Sequence, residues 1–546
     1  MKFKGILTLC MAGFALSAAA QTHVEGEEYY KADQFANAKD LLLRSLNNAG
    51  TDKAVSDYYL GLIALRDNNK SEAQKYFENG VQANPDYAYN YVGLGQLALA
   101  GGNAKGAEEQ FKMAEKLGKE DKAGVDIAIA RAYYNIDPVL YEKQISKNVE
   151  KARKASKNNS PEVYLFEGDK LAANKDWGGA AAQYEMATTY DPNASEAYVK
   201  YANLFTMVNP DYAITMLKKL LDVNPNSALA QRELANAYYN KKDFRNAASE
   251  YGKYVQNPSH FKSDEDRYAF LLFYSGDFQK GYDYASKLLQ KNPQNFTAQR
   301  YQFMNAAQIP GMKDQLLPLA EALLAAHNAN PEKNKMAAID YTLIADELDK
   351  AKKTDEAIAV LQSGIKEMPD NANFNKQLAM TYVNLNNLTK AAEAYHGYLE
   401  KSEKPGYNDF IQQATFSFYA GVENKDNPAA AEKFYKETGE YADKAAEIMP
   451  DNYKPVMFKG DIAKQTAATA DAAKSAAAPY YEKAIKMLEA SSDPSRYTRD
   501  AKTMYVYLGN YYLDQNDSAK AKEYYNGYLK LSPNDEEFMK FVDGIK

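Results

Sequence analysis

Small, aromatic and apolar positions return along this chain at a fixed interval instead of gathering in one apolar block. The segment from Ala54 reads AVSDYYLGLIALRDNNKSEAQKYFENGVQANPD, and the next, from Ala88, reads AYNYVGLGQLALAGGNAKGAEEQFKMAEKLGKED. Gly61 and Gly95, Ala73 and Ala107, and Phe77 and Phe111 each stand 34 residues apart. The frame returns at Pro161 with Gly168, Ala180, Tyr184, Ala187 and Pro192, and at Ala338 with Ala345, Ala357, Leu361, Gly364 and Pro369. It returns again at Lys502 with Leu508, Gly509, Tyr512, Ala521, Tyr525 and Pro533. Each frame predicts two antiparallel helices joined by a short turn. Small residues stand where the helices cross closely, because a larger side chain there overpacks the crossing. The aromatic fills the space beside them. A proline ends the unit because it cannot continue the preceding helix. Asn and Asp cluster beside it, in NPDY, DPNA, NPNS, NPQN and MPDN, as turn and cap residues.

This frame resembles the tetratricopeptide repeat family, whose period is about 34 residues. The segment from Lys502 carries the pattern with Tyr505, Leu508-Gly509, Tyr512, Ala521, Tyr525 and Pro533, and departs from it at Tyr528, where the family prefers Ala. The resemblance implies an all-α, right-handed superhelical solenoid of stacked antiparallel helix pairs. The register gives roughly fourteen units across 21–546, with a C-terminal capping helix at 534–546 in which Phe538, Phe541 and Val542 cover the last face. Weak units begin near Ala123, Lys262, Phe296 and Asn408. The insertion TAATADAAKSAAA lengthens a helix, since its helix propensity is high. Irregular joints at 256–262 and 402–408 are the expected hinges.

Residues 1–20 stand apart. Lys2 and Lys4 precede an apolar stretch from Ile6 to Leu16, followed by Ala18-Ala19-Ala20. That is the layout of a secretory signal peptide, and it places the mature protein in the periplasm, with secretion or lipid anchoring as lesser alternatives. Cys10 is the single cysteine. Leu9 before it lacks the small side chain a lipid-attachment site requires. No disulfide or thiol chemistry is expected of the mature chain. No later stretch is long and apolar enough to span a bilayer; peripheral association with outer-membrane machinery is compatible with that.

Composition narrows the functional classes. The formal charge of −7 disfavours nucleic acid, which attracts clustered Lys and Arg. The 45 tyrosines against one tryptophan suit many half-buried contacts between thin layers. His23, His260, His327 and His396 are scattered without metal-ligand spacing, and the last three are expected at the surface. No phosphate loop or nucleophile elbow is present, so no catalytic, cofactor or metal site is expected. Trp177 is expected to pack at the start of a second helix.

Protein binding is therefore the expected activity. The resemblance implies that the first helix of each unit lines a concave groove, and this transfers to Tyr58, Leu62, Leu65 and Arg66, then to Tyr89 and Gln96. It transfers further to Arg232, Asn236 and Tyr239, and to Asp346 and Asp349. Arg232 and Asn236 resemble part of a carboxylate clamp, although Met380 stands where its next asparagine is expected. Such a mixture of apolar, amide and charged groups suits a partner's segment. A carbohydrate- or peptide-binding accessory module of an envelope uptake or export system is the alternative.

Overall fold

The computed structural model describes residues 24–48, 50–491 and 498–545. The expected signal peptide, Cys10 and His23 lie outside the described residues. Every regular element among those described is helical. The chain divides into two compact units between Gln308 and Ile309. Neither expected hinge coincides with that division.

In the first unit, α1 (24–31) pairs with α2 (Phe35–Ser45), α3 (Lys53–Arg66) with α4 (Lys70–Ala83), and α5 (Ala88–Ala100) with α6 (Ala104–Leu117). Then come α7 (Lys122–Ile136) with α8 (Glu142–Ser156), α9 (Pro161–Ala173) with α10 (Trp177–Tyr190), and α11 (Ser195–Phe205) with α12 (Pro210–Val223). Next are α13 (Ala228–Asn240) with α14 (Phe244–Tyr254), α15 (Lys262–Tyr274) with α16 (Phe278–Lys291), and the single α17 (Phe296–Ala306).

The second unit holds α18 (Lys313–Ala329), α19 (Ala338–Lys350) with α20 (Thr354–Glu367), and α21 (Ala372–Asn384) with α22 (Leu388–Lys401). It continues through α23 (Tyr407–Glu423) with α24 (Pro428–Ile448), α25 (Lys454–Thr466) with α26 (Ala470–Glu489), and α27 (Thr498–Asp514) with α28 (Ser518–Leu531). The last helix, α29, runs Glu536–Asp543. Residues 470–478 of the alanine-rich insertion lengthen α26 to 20 residues, while 467–469 form the turn before it, with Thr469 as its cap.

The repeat frame is visible as packing. A Cβ on Gly168 would lie 2.5 Å from the ring of Tyr184, which is almost fully buried. Gly61 meets Phe77 in the same way, Gly95 meets Phe111, and Gly509 meets Tyr525. The helices can therefore approach only because the frame's eighth residue has no side chain, and the aromatic occupies that space.

The turns inside the pairs follow one recipe. A residue with positive φ precedes the cap of the second helix: Asn68 (60°), Gly102 (75°), Lys175 (62°), Lys242 (63°) and Asn516 (62°). The next polar side chain then caps the helix. Asn69 accepts from the Glu72 amide, Asp176 from Gly179 and Asp517 from Lys520.

Two local expectations need correction. Trp177, at the first position of α10, is 56% exposed at the tip of a turn and is not packed. His327 is buried: its Nδ1 donates to the Asn334 carbonyl at 2.9 Å, and its Nε2 lies 3.1 Å from the Tyr341 hydroxyl. In place of a solvated histidine, the ring forms a bridge between α18 and α19. At the C-terminal end the expected cover is present: Phe538 packs on Tyr525 and Tyr528, the half-exposed Phe541 ring lies 5.5 Å from Tyr525, and Val542 is buried.

Candidate functional site

First helices of successive pairs line the inner side of the first unit, and its first turn encloses a cavity of about 670 Å³. Six groove residues expected from the sequence line this chamber together: Tyr58, Leu62, Leu65, Arg66, Tyr89 and Gln96. They come from α3 and α5, neighbouring first helices, so equivalent positions face the same space. A volume of this size falls in the range of small-ligand and side-chain pockets.

Two features of the chamber give it chemical character. On one side tyrosines cluster: the Tyr58 ring stands 5.0 Å from Tyr59 and 5.5 Å from Tyr89, and Tyr87 lies 5.3 Å from Tyr89. Tyr89 donates its hydroxyl to Asp121, which also caps α7 by accepting from the Gly124 amide at 3.1 Å. Burial, then Asp121, pushes the Tyr89 phenol well above its usual range, so it remains a donor.

Opposite lies an ion network centred on Asp169. Arg131 Nη1 and Lys200 Nζ each donate to it at 2.7 Å, and the Tyr184 hydroxyl donates at 3.0 Å. Lys200 also pairs with Asp33 at 2.9 Å. Burial alone would raise the Asp169 carboxyl, but Lys200 and Arg131 outweigh it and hold the group below the usual range. The wall is thus a ring of hydroxyls, aromatic edges and fixed charges of both signs.

The remaining side of the chamber comes from α1 and α2, through Glu27, Tyr30, Lys31, Asp33 and Phe35. Tyr59 donates to Glu27 at 2.9 Å, and the Arg66 guanidinium stands 4.0 Å over the Phe35 ring. Sequence reasoning missed this wall. These residues belong to the first repeat, and nothing local signals that Lys31 and Asp33 meet Glu196 and Lys200 across the turn.

The other expected groove residues lie elsewhere. Arg232 does hold a carboxylate, but it is the chain's own Asp264, with Nε to Oδ2 at 2.6 Å, and Nη1 donates to Gln34 at 3.3 Å. Asn236 accepts from the Tyr251 hydroxyl at 3.3 Å. Tyr239 sits among Phe244, Phe270 and Arg267. In the second unit, Asp346 pairs with Lys350 at 2.5 Å, and Asp349 accepts from Thr354 at 2.9 Å and Asn384 at 2.7 Å. Among the described residues no group of three or more His, Cys, Asp or Glu side chains converges as a metal site would require. No described helix is long and apolar enough to cross a membrane.

A solenoid of antiparallel helix pairs with a groove on its inner side defines a repeat scaffold of the kind that binds proteins. The chain belongs to the tetratricopeptide repeat family: models of that repeat match residues 58–122, 207–260, 350–413 and 474–536. Solved structures similar to it include the C-terminal part of a TPR repeat-containing protein from Cytophaga hutchinsonii, at 18% identity over 52% of this chain and 99% of that one, with a TM-score of 0.40. Yeast Tom70 is similar at 15% identity over 92% of this chain and 98% of its own, with a TM-score of 0.28. The Cut9–Hcn1 hetero-tetramer of APC/C is similar at 12% identity over 90% of this chain and 89% of its own, with a TM-score of 0.25. No curated protein matches the chain in sequence.

Proposed function

We propose that this chain is a non-enzymatic scaffold of the bacterial periplasm that holds a segment of a partner protein in the chamber of its first unit. The repeat fold supports a protein-interaction scaffold in general. The observation that carries the finer reading is the convergence of Tyr58, Leu62, Arg66, Tyr89 and Gln96 on one cavity of about 670 Å³. Export rests on the basic, apolar and small-residue order of residues 1–20. Envelope assembly, secretion and polysaccharide export machinery are the settings in which such an adaptor would work.

A photo-crosslinking side chain at Gln96, activated in intact cells, tests the proposal. It should capture one reproducible protein in the periplasmic fraction, and Tyr58→Ala should reduce the yield several-fold. A product that appears only in the cytoplasm, or none from Gln96 under any growth condition, overturns it.

The tyrosine wall favours a second reading, a carbohydrate- or peptide-binding accessory module. Ring faces and edges bordered by Asp121, Gln96 and Arg131 would suit a sugar as well as a side chain. Calorimetry against a glycan panel separates the two: heat abolished by Tyr89→Ala supports the glycan, and no heat with any member disposes of it.

A further inference from the structure

The N-terminal helix pair is not simply the first layer of the stack. Besides walling the chamber it lies across the starts of α11, α13 and α15, which are inner helices like those that line it. Glu25 accepts from the amides of Ala228 and Leu229, the first two residues of α13, at 2.7 and 3.3 Å. Glu28, three residues on, accepts from the Ser195 hydroxyl at 3.0 Å and the Ser227 hydroxyl at 3.4 Å. Two carboxylates on one helical face thus serve two helix N-termini, where backbone amides and the helix dipole favour negative charge. The Tyr29 ring meets Phe261 edge-on at 5.4 Å, Gln34 donates to Glu233 at 2.8 Å, and Arg44 donates to the His260 carbonyl at 3.3 Å. The hydrogen bonds among these reach 167 to 216 residues along the chain.

The seat is specific but burdened. Buried Glu25 and half-buried Glu28 lie close to one another, and the fully buried Tyr29 hydroxyl has no hydrogen-bond partner among the described residues. An interface that leaves a buried polar atom unsatisfied opens more readily than its area suggests.

We infer that the seat formed by α11, α13 and α15 is a second binding face, whose exchanging occupant is the N-terminal helix pair of a second copy of this chain. Hydrogen bonds and ring packing already match this sequence at Glu25, Glu28, Gln34, Arg44 and the Tyr29 ring. A foreign helix would have to displace a tethered one, whose effective concentration is high. Reciprocal exchange between two copies avoids that handicap: each hydrogen bond that opens in one copy is remade by the other, and the two seats close on each other. The same pair walls the chamber, so exchange would also open that cavity, but the inference rests on the seat's own contacts and not on the proposed adaptor role.

The test uses the full chain with Cys10→Ser and a fluorescein-labelled peptide of residues 24–46. The peptide should bind at least tenfold more tightly to a Tyr29→Ala chain, whose own pair is loosened, than to the unaltered chain. Glu25→Lys with Glu28→Lys in the peptide should weaken binding at least tenfold. A Gln34→Cys, Glu233→Cys chain bridged by a short bis-maleimide should refuse the peptide, and its unbridged form should accept it. Light scattering of the unaltered chain at rising concentration should show a dimer that bridging abolishes. Failure of the peptide to bind the Tyr29→Ala chain overturns the inference, as does binding to the bridged form. A peptide that binds while the chain stays monomeric at every concentration also overturns it, and assigns the seat to a foreign acidic helix instead.

Discussion

The carboxylate of Glu25 accepts a 2.7 Å hydrogen bond from the backbone amide of Ala228, 203 residues further along the chain. Burial, then the nearby Glu28, raises the Glu25 carboxyl to about 8, and Glu28 is raised as well, chiefly by burial. Also near Tyr29 and these acids are Glu196 of α11, Arg232 and Glu233 of α13, and Tyr254 of α14. Because the docked value lies above the unfolded one, the docked state holds the extra proton between about pH 4.5 and 8. Docking is therefore strongest at the acidic end and weakens as pH rises through that window. Hydrogen exchange of residues 24–45, corrected for intrinsic rate, should show protection falling several-fold from pH 5.5 to 8.5. Glu25→Gln should flatten most of that dependence. Protection that instead rises with pH refutes the assignment.

Asp169 has the opposite sign. Its carboxyl is held low by Lys200 and Arg131, so its contribution is present at neutral pH and fades as acid protonates it. Asp169→Asn leaves Lys200, 8% exposed, with Asp33 alone. Breaking a buried pair costs ~3–5 kcal/mol, and the second carboxylate places this case near the lower end. The midpoint of urea unfolding should fall at pH 7, and the loss should shrink only as pH drops below about 3.8 toward the lowered folded value.

Two glycines of one helix pair should respond oppositely to alanine. At Gly168 a Cβ would press into Tyr184, and overpacking of ~1–3 kcal/mol is expected. At Gly178 the nearest heavy atom would be 4.0 Å away, so the better helix propensity of Ala should stabilise α10, by up to ~1 kcal/mol. Circular dichroism melts of both variants suffice, and a stabilising Gly168→Ala would contradict the packing account.

His327 should prove structural. His327→Ala removes the bridge from the Asn334 carbonyl to Tyr341 and leaves a cavity between α18 and α19. Removing a buried hydrogen-bonded ring should cost ~2–4 kcal/mol. His327→Gln should recover part of this. Zinc or chelator should leave the unfolding midpoint of the unaltered chain where it is.

The 34-residue spacing of Gly61 and Gly95, with Phe77 and Phe111 behind them, was legible because each helix pair carries its own instructions: a small crossing residue, an aromatic filler, a cap and a proline. Tyr58, Leu62, Tyr89 and Gln96 were legible as chamber residues for the same reason, since inward positions recur with the frame. Trp177 and His327 were misjudged because their surroundings depend on how a turn tip and an inter-helix joint happen to close.

The sequence by itself determined the helix pairs, their caps and their inward faces, which are decided by neighbours within a few dozen residues. Only the tertiary structure decided that Glu25 and Glu28 find the starts of α13 and α11, that Arg232 is engaged by Asp264, and that α1 walls the chamber. Those meetings depend on the small rotations between successive pairs, summed over six or seven repeats. No local pattern of residues encodes such a sum.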